Sequence, residues 1–301
     1  MAAVPEPART EDWGPAFRRL FHYLPEAERE RRCANALHLL QRGELDPRGI
    51  FVLRDCTELH GAIVCLQVPG RSALVWPPGV VDAHRTDWED ALLRHATSWL
   101  RQGGVQLAQT LLEPNEQFLA ASLLRNEFTE VTRLFYLRHD LNLPVHSLHL
   151  PARLAFHPYT DNDEAFRSTL ARTYEGTLDC PEINGVRTID DVVAGHRAQG
   201  AFSPERWWLA CEGTSPVGVL LMTEMPDSGD WELAYMGIVP EARGRGMGRE
   251  ILLHALCAAR AADVPAVTLS VDARNEPARK LYGSMGFEAY DGRLVYLAIW
   301  P

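Results

Sequence analysis

The stretch Glu232-Leu-Ala-Tyr-Met-Gly-Ile-Val-Pro-Glu-Ala-Arg-Gly-Arg-Gly-Met-Gly-Arg249 decides how the rest of the chain reads. Leu233 to Val239 is a short apolar run stopped by Pro240, which cannot donate to a sheet ladder, so a buried strand is predicted. Beyond it, Ile251, Leu252, Ala255, Leu256 and Ala259 recur at helical spacing and predict an amphipathic helix. Between strand and helix, Gly244, Gly246 and Gly248 leave the backbone bare. Free N–H groups at a helix N-terminus, with the positive end of the helix dipole behind them, form a site for phosphate. Arg243, Arg245 and Arg249 add positive charge beside it, so the local chemistry points to pyrophosphate capture. A Gly-rich turn with solvated arginines is the plainer alternative.

Both common nucleotide loops are absent. A P-loop needs lysine and a hydroxyl residue after its last glycine, and neither follows Gly248. A dinucleotide fingerprint starting at Gly244 needs glycine at 249, where Arg249 stands.

The 301 residues are long for one domain and comfortable for two, and the apolar fraction of 46% supports a sizeable core. The formal net charge of −10 argues against partners such as nucleic acid or an anionic membrane. Met1 to Gly14 carries no apolar leader and no later segment is apolar enough to span a bilayer, so a cytoplasmic protein, monomer or homodimer, is expected. The six cysteines include no Cys-x-x-Cys pair and read as reduced and structural. His146, His149 and His157 lack companions at ligand spacing, and no metal is expected.

Ahead of the central stretch, Pro25 to Arg42 reads as a helix with Ala34, Ala36, Leu37 and Leu40 on one side. The run Glu28 to Arg32 reads as a solvated face. Gly49 to Asp55 and Gly61 to Val68 read as paired strands, and Trp88 to Gln102 as a helix. Val105 to Leu112, Asn115 to Arg125 and Phe128 to Leu137 continue as strand, helix and strand. Pro144 and Pro151 mark a linker over 142–151. The order then repeats. Phe51 to Asp55 and Gly61 to Val64 correspond at constant offset to Trp208 to Glu212 and Gly218 to Leu221, which suggests duplication of one α/β unit; an unrelated α/β first domain stays open. Where the second half has its glycine loop, the first has Trp76-Pro-Pro-Gly-Val80, and prolines remove N–H donors. The first half should bind pyrophosphate poorly. Near the end, two strands are expected around a turn at Asp291-Gly292.

Arg243-x-x-Gly246-x-Gly248 resembles the acyl-CoA loop of the GNAT superfamily of N-acetyltransferases, written there as Arg/Gln-x-x-Gly-x-Gly/Ala. Asn275-Glu-Pro-Ala-Arg-Lys-Leu-Tyr-Gly-Ser-Met-Gly-Phe287 resembles that superfamily's Asn-x-x-Ala-x-x-Leu-Tyr-x-x-x-Gly-Phe signature without a gap. The resemblance implies an α/β fold of two tandem GNAT-like domains, each a mixed central sheet flanked by helices: a degenerate copy over 1–141 and a catalytic copy over 152–301. It implies acetyl-CoA as cosubstrate, held by Ile238, Val239, Arg243, Gly244, Arg245, Gly246, Met247, Gly248 and Arg249, with Asn275 on the pantetheine arm. Glu232 takes the place of a general base and Tyr282 that of the acid for the leaving thiolate. A solvent-facing strand glutamate and a core tyrosine remain the plain alternatives. Tyr174, Glu175, Asp179, Glu182 and Asn184 would wall the pocket for a small-molecule amine acceptor, unless they are only a solvated loop. The implied reaction is direct transfer of acetyl to an amine in a ternary complex. A non-catalytic acyl-CoA sensor or scaffold, or a protein N-terminal acetyltransferase, would share the cofactor loop.

Overall fold

The apolar runs pair as strands and the 3.6-residue patterns form helices, grouped in two units whose bounds differ from 1–141 and 152–301. The computed structural model describes residues 4–54, 58–81, 85–142, 153–161 and 163–300. One unit comprises Met1–Val131 with Leu294–Pro301, and the other Thr132–Arg293. Each unit therefore takes one strand segment from the other half of the chain. Most of the linker, with Pro144, Pro151, His146 and His149, lies outside the described residues.

In the first unit, β1 (Val4–Pro7), α1 (Trp13–Leu20) and α2 (Glu26–Gln41) precede β2 (Ile50–Arg54), β3 (Leu59–Val68) and β4 (Ser72–Val80). Then come α3 (Arg85–Gln102), β5 (Leu107–Leu112), a 3₁₀ turn at Pro114–Leu119 and α4 (Ala120–Arg125). The sheet order is β1-β2-β3-β4-β5-β12, where 294–299 of β12 (Glu288–Ile299) pair antiparallel with β5. Leu92, Leu93, Ala96 and Leu100 of α3 bury one sheet face; Phe17 and Ala36 cover Ile50, Val52 and Val64 on the other.

Three expectations are corrected here. Trp76-Pro-Pro-Gly-Val80 is not a loop but the end of β4, with Pro77 and Pro78 at a bulge where Ala62 pairs Gly79 and Val64 pairs Trp76. On α2 the buried residues are Cys33 and Ala36, while Ala34 is exposed. The Glu28–Arg32 run is not wholly solvated: Arg32 bridges Glu28, Glu113 and Glu116, and the Tyr23 hydroxyl donates to Glu116 at 2.7 Å.

The second unit contains 132–140 of β6 (Thr129–Asp140), then β7 (Leu154–Pro158), α5 (Glu164–Thr173), α6 (Ile189–Arg197), β8 (Trp207–Glu212) and β9 (Ser215–Glu224). It continues with β10 (Trp231–Ile238), α7 (Met247–Ala261), β11 (Ala266–Asp272), α8 (Glu276–Ser284) and 288–293 of β12. The order is β6-β11-β10-β9-β8-β7, and only β10–β11 is parallel. No turn forms at Asp291-Gly292, because β12 runs unbroken from Glu288 to Ile299. Apolar residues of α7 and α8 bury the face bearing Leu233, Val267 and Leu269, while Phe166, Leu170 and Val193 bury the face bearing Val219 and Leu221.

The units repeat one plan, and matched glycines mark it. A Cβ on Gly218 would lie 2.6 Å from the Gly237 carbonyl and 3.1 Å from Ile251; one on Gly61 would lie 2.8 Å from Val80 and 3.1 Å from Leu92. Expression of 152–301 alone removes residues 132–140, which pair β11 from Ala266 to Asp272. Such a fragment presents an unpaired apolar edge and should be insoluble or lack a cooperative melt. Circular dichroism on the fragment checks this, and a melt matching the full chain would contradict it.

Candidate active site

Two local departures from regular sheet create the site. Beside β9, β10 slips register between Leu233 and Tyr235, a bulge that changes which side chains face the cleft. Beside β11, β10 pairs only at Trp231↔Val267 and Glu232↔Thr268. The two parallel strands then diverge, leaving the β10 edge open from residue 233 onward.

At the end of that open edge the chain turns at Pro240 and enters α7. Gly244 has φ +73° and Gly246, the N-cap, φ +81°, a region that side-chain-bearing residues rarely adopt. Among the described residues, no hydrogen bond engages the N–H groups of Gly244, Arg245, Gly246, Met247 or Gly248. They stand at the N-terminus of a 15-residue helix. This donor cluster fits a pyrophosphate.

The arginines serve the loop differently from the sequence expectation. The Arg243 guanidinium donates to the carbonyls of Ile238 (3.0 Å), Gly176 (3.2 Å) and Thr173 (2.9 Å), tying the end of α5 to the end of β10. Arg245 pairs with Glu212 at 2.9 Å, and Arg249 donates to Ser284 at 3.2 Å. Arg153, not singled out from sequence, holds Glu250 and the Arg245 carbonyl. Backbone therefore supplies the donors and arginine the bracing. Val239 and Met247 are buried beneath the loop with Val217 and Ala242, while Ile238 is half-buried. Arg243→Ala should cost about 1–3 kcal/mol of unfolding free energy through the orphaned carbonyls. Urea denaturation checks that figure.

Asn275 caps α8 by accepting from the Ala278 N–H at 3.2 Å. The helix ends in a Schellman arrangement: Phe287 N donates to the Tyr282 carbonyl and Gly286, at φ +88°, donates to Gly283. This closure fixes Tyr282, which is buried with its ring 5.7 Å from that of Phe287. Burial raises the Tyr282 pKa, and the charges of Asp179 and Tyr235 add to the rise. Glu232 is half-buried, and among the described residues no hydrogen bond or ion pair reaches its carboxylate. Burial alone raises its pKa from the usual 4.5.

The segment expected to wall the acceptor is latched to β11 and α6. The Asp179 carboxylate accepts from the Asp272 N–H at 2.9 Å, and Asp272 in return accepts from the Cys180 N–H at 3.0 Å. Glu182 takes a two-point ion pair from Arg274, at 2.6 and 3.0 Å. Burial would raise the Asp272 pKa, but bonds from Arg274 and Thr132 outweigh it and hold the value at about 2. Asp179, Cys180 and Asp272 bring three possible ligand atoms within 4.8 Å, yet the hydrogen bonds above already engage both carboxylates. The Tyr174 ring packs tilted against that of Tyr235, with centroids 5.0 Å apart, its hydroxyl meets His196 at 3.2 Å, and Asn184 donates to the Tyr174 carbonyl. Glu175 is exposed. Tyr174, Asn184, Ile183 and Arg187 line a pocket of about 240 Å³. Tyr235, Thr173, Asp272 and Arg274 were not singled out from sequence; only tertiary pairing brings them to the site.

Residues 170–287 match the acetyltransferase (GNAT) family, a segment that holds the donor loop, Glu232 and Tyr282. That segment is GNAT-like in sequence. Its curated relatives include the mycothiol acetyltransferases of Nocardiopsis dassonvillei, 30% identical over 48% of this chain and 45% of the relative, and Thermobispora bispora, 31% identical over 56% and 58%. That of Thermomonospora curvata is 36% identical over 39% of both chains. The chain thus spans about half the length of the curated relatives it matches. A GCN5-related N-acetyltransferase from Sphaerobacter thermophilus aligns over 98% of this chain and 95% of its own, with TM-score 0.64 and 19% identity. A tandem GNAT protein from the clavulanic acid biosynthesis pathway aligns over 99% and 98%, with TM-score 0.54 and 14% identity. These two likenesses concern the fold: a tandem α/β architecture with mixed sheets. Among the described residues no helix is long and apolar enough to cross a membrane.

Proposed function

We propose that the protein is an N-acetyltransferase that moves an acetyl group from acetyl-CoA to the amine of a small molecule, by direct attack in a ternary complex. The observation that carries this reading is the row of free N–H groups at 244–248, set at the end of a strand pair that opens beside Glu232 and Tyr282.

When bound, acetyl-CoA supplies the acetyl thioester. The loop N–H groups of 244–248 hold its pyrophosphate, and the open edge of β10 accepts the extended arm. Glu232 takes the proton that the attacking ammonium must lose, directly or through one water. Its raised pKa makes it a better proton acceptor than an ordinary carboxylate. Tyr282 gives its hydroxyl proton to the departing sulfur, and burial keeps that hydroxyl protonated until then. Residues 174–184 bound the acceptor side through Tyr174 and the latched loop. The acceptor of the mycothiol acetyltransferases is the first to assay, since this chain is 30–36% identical to proteins of that name over part of its length.

Tyr282→Phe separates an enzyme from a binding module. An enzyme loses about 10²-fold or more in kcat, with acetyl-CoA affinity kept. Equal loss of affinity would make the hydroxyl a binding group, and absence of turnover with any amine in the parent chain would overturn the transferase reading.

A further inference from the structure

Glu232 shares its face of the sheet with a set of polar and aromatic groups that the chemistry above leaves unused. β10 pairs β11 at Glu232↔Thr268, and β11 pairs β6 at Thr268↔Arg138 and Ser270↔Tyr136. Directly paired residues project from the same side, as do residues two apart along a strand, so Glu232, Thr268, Ser270, Tyr136 and Arg138 form one face. Their alternates Leu137, Val267 and Leu269 lie in the opposite core. From 288–293 of β12, Tyr290 brings its ring to 6.3 Å from that of Tyr136, at 57°. Tyr290 is 59% exposed, too open to be a packing residue. The charge of Glu232 opposes ionisation of both tyrosines, in keeping with the shared face.

The charges around this face balance except at one point. Arg138 pairs with Asp230 at 3.6 Å, and Arg293 pairs with Asp291 while lying 6.0 Å over the Tyr136 ring. Glu232 is left without a counter-charge among the described residues. A half-buried carboxylate on the same sheet face as two electron-rich rings attracts an organic cation by Coulomb and cation–π terms together. A neutral or anionic group gains neither.

We propose that Tyr136 and Tyr290 form the cation site for the acceptor, which arrives as an aliphatic ammonium and is held between the two rings and Glu232. The inference rests on the amine-acceptor reading above and narrows it. The nitrogen loses its proton to Glu232 where it is bound, so the site selects amines that are cationic at neutral pH. Aromatic amines, neutral at that pH, bind poorly.

Tetramethylammonium tests the site because it carries the charge but no transferable proton; tert-butanol serves as the neutral probe of similar size. Each is titrated into the full chain, its Tyr290→Ala variant and its Tyr290→Phe variant, with ring-proton shifts or calorimetry as readout. Saturable binding of tetramethylammonium is expected, weakened about fivefold in Tyr290→Ala and kept within about twofold in Tyr290→Phe, with no saturation by tert-butanol. Equal affinity in Tyr290→Ala, or equal binding of tert-butanol, would overturn the proposal. Acetyl-CoA titrated into the same preparations keeps the two readings apart. Acetyl-CoA binding without the cation site overturns this inference alone, whereas loss of acetyl-CoA binding in the parent chain overturns the transferase reading and the acceptor role with it.

Discussion

Glu232→Gln lowers acceptor kcat/KM by about 10²–10⁴-fold while acetyl-CoA affinity stays within about twofold. The amide keeps the size and polarity of the carboxylate but cannot take a proton from an ammonium. The effect also has a pH signature. Glu232 must be ionised to act, and burial favours its neutral form, so activity in the parent chain rises through a pKa above the usual 4.5 and falls away below it. The variant should lose that acid limb and recover partly at alkaline pH, where free amine exists without help. A pH profile of kcat/KM for both chains is the measurement. A variant that kept the acid limb would move the base elsewhere.

Replacing Gly246 with valine should lower acetyl-CoA affinity by about 100-fold or more. At φ +81° a β-branched residue is strained by about 1–3 kcal/mol, and relief of that strain rotates the N–H groups away from the ligand. The fold should survive, because the nearest atom to a Cβ there is the tip of Arg153 at 3.6 Å. Gly248 differs. It has no positive φ, but its Cβ would lie 3.3 Å from Leu281 and 3.4 Å from Ile238, so Gly248→Ala presses on α8 and should act through packing, more weakly. Calorimetry on both variants beside thermal melts separates the two effects.

The central strand, the glycine loop and both helices that follow were legible because each carries its own period and its own stop signal. Pro240 ends β10, Asn275 caps α8 and Gly286 closes it. What stayed hidden depends on pairing between distant segments. Nothing local in 129–137 or 294–299 says which sheet each strand joins, since apolar alternation fits either. Trp76-Pro-Pro-Gly-Val80 was set against the glycine loop of the second half for its missing donors, yet it ends β4 at a bulge that tolerates them. The roles of the loop arginines were equally out of reach: their positive charge suggests phosphate, while the geometry commits Arg243 to three carbonyls. Asp179 and Glu182 read as acceptor ligands by composition, and only the folded chain brings Asp272 and Arg274 to them. Glu232 and Tyr282 were singled out by the family resemblance, whereas Tyr136 and Tyr290 lie on strands that no motif covers and come together only through pairing.

Calorimetric titration of the full chain with acetyl-CoA tests the proposed function most directly, read for stoichiometry first. One site per chain, lost on Gly246→Val, is the expected result. The first unit runs β4 through Pro77 and Pro78 to Val80, and a Cβ on Gly79 would meet the Arg19 carbonyl at 2.3 Å, so among the described residues this stretch offers no donor loop like that at 244–248. Two sites per chain, or one that survives Gly246→Val, would contradict the assignment of cofactor binding to the loop at 244–248.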